Sequence, residues 1–346
     1  MAERILTTRE LNRAVLARQH LLEPATGSIA RALQAIGGIQ AQYAPSMYVG
    51  LWSRMRDLER GALTRALQQR AVVQATLMRV TIHLVAKRDF WPFALATRTA
   101  RRELWLRGMS KGATAAQLEQ LAGRVRRHLA EHGQISRREL DALVGKPHAT
   151  GVGLWVDLVR VPPAGTWERR RADLFAAADE WVGPPPAIGA EEAAARLVRS
   201  YLAGFGPASI ADVASYTGLP RRELAPALKR LKLRRFRSED GKQLLDVPRA
   251  PLPDPEHPIG VRFLPTWDAT LLVHARRAGI LPEQHRRRIF HVRNPHSAAV
   301  FLVDGSVAGT WRYRDGRIDL HAFERLDAAT RRELRGRAGE LAGFHA

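Results

Sequence analysis

The sequence predicts a mainly helical α+β fold built from three successive helical units, each closed by a β-hairpin, with a β-rich part at the C-terminus. Three observations carry this. Residues 190–247 run as helix, helix, helix and hairpin; two fainter copies of that order lie upstream; and a Pro-rich stretch after Val247 leads into short strands joined by Asp-Gly turns. Three helices followed by a hairpin is the pattern of a winged helix.

The first unit, residues 1–110, offers TTRELNRAVLARQHLL, GSIARALQAIGG, MYVGLWSRM and ERGALTRALQQR as helices. Its hairpin is VVQATL and VTIHLV, turning at Met78 and Arg79. The second, residues 111–187, has AAQLEQLAGRVRRHLAEHG, ISRRELDALVG and GVGLWVDLVRV as helices, with PAGTWERRRADLF as its wing. In the third, residues 188–248, AEEAAARLVRSYLAGFG ends at a Gly with Pro207 just beyond. SIADVASYTGL follows with Ser209 as N-cap, then PRRELAPALKRLKL, where Pro226 falls near the first turn or at a kink. LRRFRSEDGKQLLDV closes the unit around Asp-Gly. In residues 249–346 the linker PRAPLPDPEHP precedes strands in VRFLPTWDATLLV, AVFLVDGSVAGTW and RDGRIDLHAF, and DAATRRELRGRAGEL is a final helix. The three copies agree in order and length, not in residue identity. AGTW occurs twice, at 164–167 and 308–311, by chance or through a shared turn-then-strand geometry.

At 346 residues the chain favours two or three domains over one core, and 45% hydrophobic residues suffice to build them. The absence of cysteine excludes disulfides, a thiolate nucleophile and Cys-based metal centres. No apolar run approaches the roughly 18 residues of a membrane span. MAERILTTRELNRAV lacks the features of a secretory signal, so a cytoplasmic protein without membrane attachment is expected. Of 55 basic residues only six are lysine, which codon bias in a GC-rich genome explains. That bias does not explain a net charge of +21, which points to a polyanionic partner, above all nucleic acid.

Most chemical motifs fall away. HLAEH, His128 to His132, puts two imidazoles on one helix face, yet His132 sits at a helix stop, where a His suits the macrodipole without metal. His285, His291 and His296 lie among arginines and read as solvated or phosphate-facing. Phosphate-binding loops, dinucleotide fingerprints and the serine-hydrolase elbow are missing from the sequence. No metal and no cofactor is expected. Gln40-Ala41-Gln42 remains, between Gly37-Gly38 and Pro45. On spacing alone these are more readily two surface glutamines at a helix end. In an extended segment, though, residues two apart face one side, and two amides would converge beside a groove.

GGIQAQYAPSMYVGLWSR followed by LMRVTIHLVAKRDFWP resembles the bacterial winged-helix DNA glycosylases of the AlkZ and YcaQ type. RVPPAGTWERRRADLFAAADEWVG, LVRSYLAGFGPASIADVASYTGL, FLPTWDATLLVHARR and FLVDGSVAGTWR extend the likeness, in order, over nearly the whole chain. The resemblance implies three tandem winged helices in a C-shaped arrangement with a β-rich C-terminal part. It also implies a catalytic Gln–apolar–Gln motif at Gln40 and Gln42, in place of the Gln–apolar–Asp of other members. That branch removes N7-alkylguanine and unhooks interstrand crosslinks, as self-resistance to natural products such as azinomycin. Thr81 and His83 follow the family's T-x-H pattern beside the catalytic turn and are expected to contact the DNA, His83 equally fitting a core or scaffold role.

The partner so implied is double-stranded DNA, alkylated or crosslinked, bound by a monomer. Phosphate contacts are expected from Arg221 and Arg222 at the start of the third recognition helix, and from Arg234, Arg235 and Arg237 in its wing. Arg276 and Arg277, with Arg286 to Arg288, form a second basic cluster. Trp311 reads as core or as a base-stacking residue. No lysine adjoins the motif, so a Schiff-base lyase step is not indicated. The alternative is a winged-helix transcription regulator without catalysis, which would bind a palindrome as a dimer; a damaged-DNA scaffold is a third reading.

Overall fold

A computed structural model describes residues 3–272, 279–290 and 297–346. Helices dominate, and among the described residues the strands form three sheets. Four helices begin with a reciprocal capping box, at Thr7/Glu10, Thr114/Gln117, Ser136/Glu139 and Ser209/Asp212. In each, a Ser or Thr hydroxyl and a residue three further on satisfy backbone amides that helix geometry leaves open. Ser209 thus caps Ile210–Thr217 as its sequence suggests. Pro226 lies inside Arg221–Lys229.

The hairpins of the first two units do not stand apart as wings. Ile39–Gln40, Ile82–Ala86, Val72–Thr76, Leu158–Arg160, Leu174–Ala177 and Ile135–Ser136 join, in that order, into one six-stranded antiparallel sheet. Val72–Thr76 joins the two halves, pairing with Ile82–Ala86 on one side and Leu158–Arg160 on the other. A second sheet sets Arg234–Ser238 between Gln243–Asp246 and the N-terminal strand Ile5–Leu6, so the chain's beginning is tied to the third unit. The third holds Arg262–Leu264, Val300–Val303, Ser306–Arg314 and Arg317–Ala322.

One sequence expectation fails locally. GVGLWVDLVRV is not one helix: Lys146–Val156 stops at Asp157, which has φ +57°, and Leu158–Arg160 is a strand. The buried Asp157 carboxylate accepts from Arg98 and Arg101, and these ion pairs hold the left-handed stop. The two AGTW strings share no geometry, since 164–167 is a turn and 308–311 lies within Ser306–Arg314. The sequence reading also lacks the helix Lys87–Met109. Its packed face carries Phe90, Trp91, Phe93 and Trp105 but also Arg101, a cation that blurs the apolar period.

Packing crosses the sequence divisions. One core joins Val15 and Leu16 to Val73, Tyr201, Phe205, Leu245 and Val300. Another joins Leu33, Ile36 and Met47 to Phe263, Phe301 and Leu341. Only the core around Trp105, Leu118, Val125, Val152 and Phe175 stays near the second unit. Each such aromatic or aliphatic side chain contributes about 1.5–3 kcal/mol by leaving water, so these junctions are as firm as single-domain cores.

Candidate active site and DNA-facing residues

Helix Ile29–Ile36 ends at Gly37, and two consecutive left-handed residues, Gly37 at φ +78° and Gly38 at φ +88°, swing the chain into the sheet. A Cβ on Gly38 would sit 2.9 Å from Val85 Cγ1 and 3.0 Å from the Leu84 carbonyl oxygen. Only glycine meets both the backbone angle and that approach. Ile39 then pairs with Leu84, and Gln40 with His83. The Ala41 amide donates to the Ile82 carbonyl at 2.7 Å. The next rung is made by a side chain: the Ile82 amide donates to Gln42 Oε1 at 2.9 Å. Pro45 opens Ala44–Trp52 immediately afterwards and carries the chain away.

This register brings both sequence motifs together. Residues opposed across a strand pair share a face, so Gln40 and His83 lie side by side on one face of the sheet, while Gln42, in the bend just beyond the strand, turns its carboxamide back to Ile82. Gln40 is 6% exposed, and its amide makes no hydrogen bond to a described residue. Gln42 is exposed, with its carboxamide oriented by Ile82.

Thr81 and His83 are both hydrogen-bonded within the turn. The Thr81 hydroxyl donates to the Met78 carbonyl at 2.9 Å, and His83 Nδ1 lies 3.0 Å from the Thr81 carbonyl. That carbonyl can only accept, so Nδ1 carries the proton. Burial, reinforced by nearby Arg79, lowers the His83 pKa to about 3, which outweighs its bond to Thr81 and keeps the ring neutral.

Arg79, read from the sequence only as a turn residue, and Tyr216, which the sequence does not mark, hold this arrangement. Arg79 and Val80 form the hairpin tip at φ +54° and +58°. A β-branched residue there is strained by about 1–3 kcal/mol. Arg79 donates to the Tyr216 carbonyl and lies over the Tyr216 ring, 5.3 Å from its centre. The Tyr216 hydroxyl donates to the Gly37 carbonyl at 3.0 Å. One tyrosine thus anchors both the turn that leads into Gln40 and the tip that leads into Thr81. Burial pushes the Tyr216 hydroxyl up to about 12, although Arg79 opposes it. A single sequence shows a Tyr in a helix and gives no sign of this reach.

The predicted arginines divide. Arg221 and Arg222 are exposed at the start of Arg221–Lys229, and Arg235 and Arg237 are exposed on Arg234–Ser238. Arg237 lies 3.3 Å from Glu3. Arg234 is committed inward, to the buried Asp246 carboxylate and to the Ala250 carbonyl at 2.9 Å. Arg276, Arg277, His291 and His296 lie outside the described residues. Arg286 and Arg288 lie over the rings of Phe290 and Phe323, and His285 is buried against Phe323. His128 and His132 stack at 4.3 Å in the last turn of Ala115–His132. Trp311 is half-buried, its indole N–H bonded to the Leu264 carbonyl at 2.9 Å.

A basic, mainly helical chain with paired amides on a sheet edge fits a class of enzyme that works on DNA. The chain belongs to the AlkZ-like DNA glycosylase family, which it matches over residues 33–344. It is therefore a DNA glycosylase, and DNA is its substrate. Among solved structures it is similar to the Streptomyces sahachiroi DNA glycosylase AlkZ, at 18% identity and a TM-score of 0.80, covering 98% of this chain and 97% of that one. That likeness extends the shared fold across the chain, including the residues before 33. No curated protein sequence matches it.

Proposed function

We infer that the enzyme is a monofunctional glycosylase that removes N7-alkylguanine and unhooks interstrand crosslinks made through guanine N7, as self-resistance to agents of the azinomycin type. The observation that carries this is Gln40 paired with a neutral histidine across the sheet, with Gln42 held against the same neighbouring strand through the Ile82 amide. Alkylation at N7 leaves guanine cationic. When the C1′–N9 bond breaks, its electron pair neutralises the departing ring and leaves an oxocarbenium-like sugar. A neutral amide takes up no proton at pH 7, but its carbonyl orients water and puts partial negative charge by the developing cation. That suffices only for a base already activated to leave.

The two amides take different parts. Gln42 is fixed through Ile82 and presents its remaining lone pair to the sugar. Gln40, nearly buried and without a protein partner among the described residues, holds the attacking water. Water oxygen bonds to C1′, its proton passes to solvent, and an abasic site remains. Neutral His83 adds no positive charge to repel the oxocarbenium. Arg221, Arg222, Arg235 and Arg237 grip phosphates. The first two stand at the positive end of a helix dipole, an arrangement disfavoured by about 0.3–1 kcal/mol per charge that an anionic ligand reverses.

Duplexes carrying N7-methylguanine, hypoxanthine or an N7–N7 crosslink test the reading. Release from the first and unhooking of the third, with hypoxanthine untouched, is the expected pattern. Hypoxanthine release at a comparable rate would show that substrate charge is not the activating feature.

A further inference from the structure

One residue from each strand of the large sheet forms a continuous rung: Ile39, Leu84, Gln74, Arg160, Phe175 and Ile135. Opposed residues share a face, here the one turned away from Gln40 and His83. Ile39 and Leu84 belong to the core around Leu33 and Met47, whereas Phe175 and Ile135 belong to the core around Trp105. The polar pair Gln74 and Arg160 lies between them. On the three central strands, Val72–Thr76, Ile82–Ala86 and Leu158–Arg160, every residue is buried except Thr76, Ile82 and Arg160. Thr76 opposes Ile82, and Arg160 donates to the Thr76 hydroxyl at 3.2 Å. Ile82 is also the residue whose amide holds the exposed Gln42. A part-exposed strip therefore runs from Gln42, along the seam between two cores, to the Arg160 guanidinium.

Arg160 differs from the buried arginines in its company. Arg13, Arg18, Arg54 and Arg101, each no more than 4% exposed, meet the carboxylates of Asp304, Asp246, Asp268 and Asp157. Arg160 meets no carboxylate among the described residues, and its Nε has no hydrogen-bond partner there. It lies over the Phe175 ring, 5.6 Å from its centre. The charge that bears on it is a second cation, Arg137, whose own Nε is taken by Asp141 at 2.7 Å. Burial, reinforced by Arg137, lowers the Arg160 pKa to about 10, so the group is charged at neutral pH and its charge is uncompensated. Two strand spacings, about 10 Å, separate Gln42 from Thr76. That is the span of a sugar, an adjoining phosphate and the hydrogen bond that holds it. A bare cation there opposes the positive charge that develops on the sugar. A phosphate cancels this effect and offers two oxygens to the planar guanidinium fork. We propose that Arg160 binds a backbone phosphate beside the damaged nucleotide and so sets its sugar against Gln42. The proposal rests on Gln42 marking the position of that sugar, not on which base leaves, and its readout is binding.

The test uses the full chain and a duplex with a tetrahydrofuran in place of the damaged nucleotide, which mimics the abasic product and cannot react. Its phosphates are replaced one at a time by neutral methylphosphonate. At one position adjoining the tetrahydrofuran, the unmodified protein is expected to lose about tenfold in affinity, as for one charge-assisted contact. Arg160→Met keeps the apolar stem and removes the charge. It should bind the all-phosphate duplex about tenfold more weakly and lose nothing further at that position. Methylphosphonates elsewhere should weaken both proteins alike, which serves as the internal measure of folding and general DNA binding. Thr76→Val deletes the bond within the sheet but keeps the guanidinium, and should retain the phosphate effect. A Thr76→Val protein that instead behaves like Arg160→Met would make Arg160 a strut between the two units and overturn the proposal. So would full affinity in Arg160→Met, equal losses in both proteins at every position, or an Arg160-dependent phosphate far from the tetrahydrofuran. Undiminished base release by Gln42→Ala, with the coupling to Arg160 intact, would refute the catalytic reading of Gln42 and leave the phosphate contact standing.

Discussion

Gln40 and His83 face each other across one rung of the sheet, and neither carries charge at neutral pH. The enzyme's rate is therefore expected to be flat between pH 6 and 8, because no group on that rung titrates there; a break near pH 6.5, measured on N7-methylguanine duplex, would mean that a protonated imidazole takes part. The same histidine links stability to acid. Its folded pKa of about 3 lies below the ordinary value of 6.5, so the unfolded chain takes up a proton there that the folded chain refuses. Stability falls as pH drops from 6.5 towards 3, by about 1.4 kcal/mol per pH unit from this group. Urea titrations of the protein and of His83→Phe between pH 7 and 5 should show the variant's acid slope to be shallower; equal slopes would place the proton elsewhere. The paired glutamines were legible in the sequence as a spacing, but their meaning came from the family resemblance. Spacing alone favoured two surface residues, and that is half right: Gln42 is exposed, while Gln40 is buried because the strand that carries it is two residues long and pinned to His83.

At the scale of elements, the site depends on a turn and a hairpin tip held by a helix from a distant part of the chain. Gly38→Ala forces a Cβ against Val85 and the Leu84 carbonyl at a left-handed φ. A loss of about 1–3 kcal/mol is expected, with a drop in turnover larger than any loss of DNA affinity, because the displaced strand carries the motif. Tyr216→Phe deletes only the hydroxyl that bonds Gly37. It should cost about 1–2 kcal/mol by leaving that carbonyl unsatisfied and slow base release; unchanged turnover would show that the clamp does not position the motif. The elements legible in advance were those with local signals, such as the capping box at Ser209, the Asp-Gly turn at 240–241 and the Met78–Arg79 turn. The illegible ones are decided by tertiary contacts. Asp157 ends a helix because Arg98 and Arg101 hold its carboxylate, and Lys87–Met109 hides its period behind a buried arginine.

Across the whole molecule, buried ion pairs tie segments far apart in sequence. Arg18 meets Asp246 at 2.7 and 3.0 Å, and Arg54 meets Asp268 at 2.9 Å through both oxygens. Asp246→Ala strands Arg18 without its carboxylate and should lower stability by about 3–5 kcal/mol, as read by chemical denaturation. The net charge of +21 was visible from composition, but the division of arginines between phosphate and structure was not. A single residue type serves both, and only the fold turns Arg234 inward while leaving Arg235 exposed. Replacing Arg221, Arg222 and Arg235 by Ala should weaken damaged and undamaged duplex alike. The slope of log affinity against log salt should flatten by roughly 0.9 for each phosphate that is no longer neutralised. Catalysis and grip are thus separable, and the central claim is tested by separating them. Base release from an N7-methylguanine duplex, measured with Gln40→Ala and Gln42→Ala beside the unmodified protein, should fall by about 100-fold or more in each variant, as for loss of one preorganised polar group at a developing charge, with duplex affinity preserved. Full activity in both variants, or a fall in activity that merely tracks weaker binding, would contradict it.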